Sequence, residues 1–173
     1  MRKVISRIFL VGPAGAGKST IGSELATRLG MKFIDTDREV ESRCGVSLSW
    51  IYDVEGEAGF RRRETQALTE LVKEPNTVLA TGGDIVICPE NRKLLSSNGF
   101  VVYLATSLGD QLERTRSKEH RPKLQVENLE DRLVELREEL LPLYEDIADV
   151  SFDTQDKSVR YVAKLICQHL ADH

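Results

Sequence analysis

An α/β domain built on a mostly parallel sheet is predicted by two observations. Short apolar runs alternate along the chain with longer amphipathic ones, and a glycine-rich loop joins the first apolar run to the first helical pattern. The opening run, "RIFLVG" from Arg7, is too short for a signal peptide and leads straight into that loop, so it reads as a buried strand. A helical pattern over Ser19 to Leu29 follows, and then "KFID" from Lys32 as a second strand. The spacing next predicts a helix over Gly56 to Val72, with Leu68, Leu71 and Val72 on one face. "TVLAT" from Thr77, "FVVYL" from Phe100 and "DVSFDT" from Asp149 supply three more strands. Helical patterns separate or follow them over Glu90 to Ser97, Leu108 to Arg116, Leu129 to Tyr144 and Lys157 to Leu170. Ligands of such sheets bind outside the carboxyl ends of the strands, which is where the glycine loops of this chain fall.

The 173 residues suit a single domain, 1–173, large enough to bury roughly 70% of its unfolded surface. A net charge of -4 argues against a nucleic-acid binder held by a broad basic face. No apolar run is long enough to span a bilayer, so no membrane partner is expected. Cys44, Cys88 and Cys167 are far apart and form no C-x-x-C pair, which argues against a disulfide framework or a zinc site. A reducing, cytoplasmic setting fits best. His120, His169 and His173 are scattered too, two of them in the C-terminal tail.

The strongest motif is "GPAGAGKST", Gly12 to Thr20, which fits G-x-x-x-x-G-K-S between a strand and a helix. Gly12, Gly15 and Gly17 permit backbone angles that turn successive N–H groups toward a phosphate, with Ala16 and Thr20 inside the same loop. The N-terminus of the next helix adds partial positive charge. Lys18 can reach the β- and γ-phosphates, and the Ser19 hydroxyl can ligate Mg2+. ATP, or another nucleoside triphosphate, with Mg2+ is the expected cofactor pair. After the second strand, Asp35 and Asp37 stand two apart, a pairing suited to a divalent cation and to a hydroxyl that must lose its proton. Asp37 also reads as a helix cap, because "REVESR" follows it.

"TGGDIV", Thr81 to Val86, places two glycines after a strand, as in a loop whose backbone something approaches closely. The stretch "RTRSKEHRPKLQVENLED" is polar and basic. It reads either as a solvated loop or as a lid, about 117–128, that brings cations over a phosphate.

Taken together, "FLVGPAGAGKSTIG", "DTD", "EGEAGFRRRE", "LATGG", "VVYL", "RPKL" and "PLYEDIADV" resemble the bacterial shikimate kinases in order and spacing over nearly the whole chain. The phosphate loop is widely shared, whereas the combination of "DTD", "GFR" and "TGG" is specific. The resemblance implies a P-loop kinase fold of three layers, a five-stranded parallel sheet flanked by helices, with substrate-binding and lid segments. It implies ATP-dependent phosphorylation of the 3-hydroxyl of shikimate, in aromatic amino-acid biosynthesis, by a monomer. It assigns Asp35 to Mg2+ with Ser19, and Asp37 to the acceptor hydroxyl as general base. Arg61 becomes the clamp on the acceptor carboxylate, and Gly82 and Gly83 the glycine loop facing the acceptor. Arg121 becomes the lid cation on the transferring phosphoryl group, and Arg114 a neighbour of the adenine. On the residues alone, Arg61 in "RRRE" also reads as part of a solvated basic face, as Arg62 and Arg63 do.

Two positions depart from the family pattern, both on the acceptor side. The family's third loop glycine is Asp84 here, and the arginine it places two residues before the proline of "PLY" is Leu140. A lost arginine partner for a bound carboxylate costs about 1.5–3 kcal/mol. Arg137, one helical turn earlier, is a candidate substitute. Two alternatives therefore stand beside shikimate: a kinase of the same fold with another small-molecule acceptor, and a nucleotide-binding paralogue without transfer.

Overall fold

The computed structural model describes residues 5–115 and 128–172. Five parallel strands form one sheet in the order β2-β3-β1-β4-β5: β1 (Arg7–Val11), β2 (Lys32–Asp35), β3 (Thr77–Ala80), β4 (Phe100–Ala105) and β5 (Val150–Asp153). Each expected strand is present. The central strands β1, β3 and β4 are short and nearly all apolar because both faces of the sheet are covered there. Alternation along β1 divides the core. Ile8 and Leu10 pack with α1 (Lys18–Leu29) and α7 (Val159–Ala171), while Phe9 and Val11 face α3 (Leu48–Leu71) and α6 (Leu129–Ile147).

Parallel register positions the site. Leu10 stands opposite Ala80, and Ala80 opposite Asp35, so β1, β2 and β3 end at one level. The loops that begin at Gly12, Thr36 and Thr81 therefore emerge side by side. The chain passes to β3 and β2 on one side of β1 and to β4 and β5 on the other, which makes this edge the topological switch point.

Two elements differ from the sequence expectation. Thr36–Cys44 forms a helix, α2, with Asp35 as its N-cap accepting from the N–H groups of Asp37 and Arg38. The expected helix over Gly56 to Val72 is the second half of α3. An earlier segment begins at Leu48, capped by Ser47, and the two halves meet at Gly56, whose φ of 71° and ψ of -178° break the helical path. A non-glycine residue would be strained there. Arg63 spans this break with a two-pronged pair to Glu55, at 2.5 and 2.9 Å, from a side chain that remains exposed. The remaining helices are α4 (Pro89–Asn98) and α5 (Leu108–Thr115). In α6, Leu133, Leu136, Leu140, Tyr144 and Ile147 form one buried stripe at helical spacing. No helix among the described residues is long and apolar enough to cross a membrane. The lid expected over about 117–128, with Arg121, lies outside the described residues apart from Asn128, which precedes α6.

Candidate active site

The phosphate loop takes the shape its glycines require. Gly12, Gly15 and Gly17 have φ values of 151°, 84° and 88°, and a Cβ on Gly12 would collide with the Leu104 carbonyl of the neighbouring strand. Lys18 is 8% exposed and folds back on its own loop, donating to the carbonyls of Gly12 at 2.7 Å and Pro13 at 2.9 Å. Its ammonium is thus held at the loop instead of extending into solvent. Arg114 donates to the Gly15 carbonyl at 2.9 Å, bracing the loop from α5. Ser19 donates to Asp35 Oδ2 at 2.5 Å, which joins the phosphate loop to the end of β2.

The cap question is settled by geometry. Asp35, not Asp37, caps α2: its Oδ1 accepts from the Asp37 N–H at 3.0 Å and the Arg38 N–H at 3.3 Å. Asp37 stands in the first turn with its carboxylate over the third-strand loop. A Cβ placed on Gly82 would sit 2.7 Å from Asp37 Oδ1 and 3.3 Å from Glu64 Oε2. Gly83 is confined less severely, since its Cβ would lie 3.1 Å from the Ala14 nitrogen of the phosphate loop. The two glycines thus permit a close approach, as expected, and the approaching groups are the protein's own carboxylates and its own phosphate loop. Three further bonds fix the loop: Gly82 N–H donates to Thr36 Oγ1 at 3.0 Å, Thr81 Oγ1 donates to the Leu10 carbonyl at 2.8 Å, and the Tyr144 hydroxyl donates to the Gly83 carbonyl.

Arg61 comes to the same place from α3. Its side chain is 14% exposed and is not part of a solvated face. Nη1 donates to Glu64 Oε1 at 2.7 Å, and Nη2 lies 2.5 Å from Asp84 Oδ2 and 3.6 Å from Glu57 Oε1. Burial alone would lower the Arg61 pKa, but Asp84 and Glu64 outweigh it and hold the guanidinium charged. Asp84 thus turns toward a cation. Its φ of -111° and ψ of 17° suit any residue, so the aspartate is not strained where the family has glycine.

Glu64 was not anticipated. It is 1% exposed, and burial, partly countered by Arg61, pushes its carboxyl up to about 8. The available signal was spacing: Phe60, Glu64, Ala67, Leu68 and Leu71 share the buried face of α3, which places an acid on a core stripe. Burial, followed by the charge of Asp84, also raises the Tyr52 hydroxyl above its usual range.

A cleft of about 810 Å³ brings these groups together, a size typical of small-molecule sites. The phosphate loop, Asp35 and Asp37 line it alongside Gly82, Gly83 and Asp84, with an apolar wall that includes Phe60 and Leu140. Leu140 is 4% exposed and belongs to the core stripe of α6. Arg137 also lines the cleft, but its Nη1 donates to the Thr106 carbonyl at 2.8 Å. No group of three or more His, Cys, Asp or Glu among the described residues converges on a metal site. Ser19 and Asp35 offer instead a hydroxyl and a carboxylate side by side, hard oxygen donors of the kind Mg2+ takes when phosphates and water complete its shell.

The shikimate kinase family model matches residues 14–171. A shikimate kinase of Legionella pneumophila is 52% identical over 96% of this chain and 95% of its own length. One from Halorhodospira halophila is 52% identical over 95% of this chain and 93% of its own. Among solved structures, shikimate kinase from Acinetobacter baumannii in complex with shikimate superposes with a TM-score of 0.96 at 43% identity, covering 98% of this chain and 94% of that one. A P-loop kinase sheet, a cleft at its switch point and relatives matched along almost their full length show that the chain belongs to the shikimate kinase family, small-molecule kinases that use ATP.

Proposed function

We propose that this chain, as one kinase domain, transfers the γ-phosphoryl group of ATP to the 3-hydroxyl of shikimate. The observation that carries the reading is Asp37. Its carboxylate lies over Gly82, in the cleft that the phosphate loop also lines, so a proton acceptor and a phosphate cradle share one space. The N-terminus of α1 and Lys18 hold the phosphates and spread their charge. Ser19 and Asp35 hold Mg2+, which neutralises phosphate charge when bound. Asp37 takes the proton of the acceptor hydroxyl as its oxygen attacks the γ-phosphorus. The bond from that phosphorus to the bridging oxygen breaks, and ADP leaves with the electron pair. Arg61 faces the acceptor carboxylate, and Arg121 supplies a cation to the transferring group. Arg114, braced on the phosphate loop, borders the nucleotide.

A second reading, a different acceptor on the same machinery, is favoured by one observation: Asp84 already stands against Arg61, and Leu140 offers no cation. ADP release measured with shikimate and with other polyols separates the two. The first expects turnover that depends on shikimate and yields its 3-phosphate. Asp37→Asn should reduce kcat by at least about a hundredfold while the KM for ATP moves little. Equal turnover in parent and variant would remove Asp37 from the role of base. Turnover with another polyol and none with shikimate would favour the second reading.

A further inference from the structure

The ion pair between Arg61 and Asp84 joins two residues that both bound the acceptor side of the cleft. Nη2 of Arg61 is closed off from solvent and meets no hydrogen-bond acceptor in good geometry, while the Asp84 carboxylate forms an ion pair with it at 2.5 Å, on the nitrogen a bound carboxylate would use. The opposite edge of the guanidinium is taken by Glu64. Asp84 is 18% exposed and lines the cleft, so its side chain has an open direction in which to turn. The backbone beneath it cannot follow, because Gly82 is bonded to Thr36 and Gly83 to Tyr144.

We propose that Asp84 is a built-in carboxylate that holds Arg61 when the acceptor is absent, and that a carboxylate-bearing acceptor binds by exchanging with it. The proposal rests on the reading of Arg61 as the acceptor clamp. Entry of such an acceptor replaces one Arg61–carboxylate pair with another, so its own carboxylate adds little net affinity. The displaced Asp84 also remains nearby as a like charge. Asp84 is therefore a specificity-determining residue: it lowers the advantage of an acidic acceptor over a neutral one while leaving recognition of the hydroxyl at Asp37 in place. Leu140 acts in the same direction, because it presents an apolar side chain and no second cation for the acceptor's charge.

The test compares shikimate with its methyl ester, at saturating ATP, in the parent, Asp84→Asn and Asp84→Gly. Asparagine keeps the shape and removes the charge, and glycine removes the side chain. In the parent, kcat/KM for the acid should exceed that for the ester by less than roughly tenfold. Both variants should raise this ratio roughly ten- to hundredfold, through a lower KM for shikimate. The KM for the ester should stay within about threefold, and so should the KM for ATP, since an uncharged acceptor has no exchange to make. A purely structural role for Asp84 would move acid and ester together. An unchanged ratio in both variants, or a higher KM for shikimate in Asp84→Asn, overturns the proposal. If neither parent nor variants phosphorylate shikimate or its ester, the acceptor assignment itself has failed, and the exchange falls with it.

Discussion

Asp35 does two separable jobs, and two substitutions tell them apart. Its Oδ1 caps α2 through the N–H groups of Asp37 and Arg38, at 3.0 and 3.3 Å, while its Oδ2 accepts from Ser19 and, on the proposed reading, meets Mg2+. Asp35→Ala removes the cap, worth about 1 kcal/mol for a helix N-terminus. For a chain of this length that lowers Tm by about 2–4 °C. Asp35→Asn keeps an oxygen able to cap, since asparagine caps about as well as aspartate, so its Tm should stay within about 1 °C of the parent. Both variants lose the negative charge beside Ser19 and should raise the Mg2+ concentration for half-maximal turnover by roughly tenfold or more. The alanine variant should lose additional kcat, because the backbone N–H of Asp37 is no longer held and its carboxylate drifts from Gly82. Thermal melts and Mg2+ titrations of turnover check both halves. An Asn variant with unchanged Mg2+ dependence would refute the metal role, and an Ala variant as stable as the parent would refute the capping.

Three further outcomes follow from the same geometry. The folded Glu64 carboxyl, at about 8, titrates above its unfolded value of 4.5; its contribution to stability is fully present below pH 4.5 and is lost as pH rises through about 8. Parent stability, measured by urea melts at pH 5, 6.5 and 8, should therefore fall with pH relative to Glu64→Gln, and parallel curves would show that Glu64 ionises freely in the fold. Leu140→Arg, which restores the family's cation, should destabilise by about 2–5 kcal/mol because it places a guanidinium on a buried stripe; saturating shikimate should recover part of that loss in a thermal-shift assay, and a variant as stable as the parent would show that the stripe tolerates charge. Gly82→Ala should depress kcat at least about tenfold with little change in Tm, since the new methyl pushes on the Asp37 carboxylate before it meets backbone; parental kcat would mean that the carboxylate moves aside at no cost.

Sequence reasoning served well where the determinants are local. The phosphate loop, its strand and its helix lie within one short stretch, and each residue there constrains its neighbours. The central strands β1, β3 and β4 were legible because burial on both faces leaves unbroken apolar runs, and the edge strands β2 and β5 from shorter mixed runs. Helix α2 was legible only as a helix start at Asp37, because in "TDREVESRC" only Thr36 and Val40 are buried and the rest is charged or polar surface. Glu64 was hidden by its setting, since an acid after three arginines reads as a solvated face until α3 is docked. The pair between Arg61 and Asp84 joins residues from a helix and a distant loop. On the sequence alone Asp84 adds negative charge near an anionic acceptor unless it turns outward or pairs with a cation, and the fold shows the pairing, with Arg61.

The third-strand loop also divides what natural variation can touch. At position 82 any side chain meets the Asp37 carboxylate, so a change of residue there displaces that carboxylate. Two residues later the backbone accepts any amino acid, and the side chain faces the cleft. A lineage can therefore drift at position 84 by single codon changes, retuning which alcohols it tolerates while transfer chemistry is inherited intact. Within this loop an immutable residue and an evolvable one are near neighbours, and paralogues with new acceptors would be expected to diverge at the second before the first.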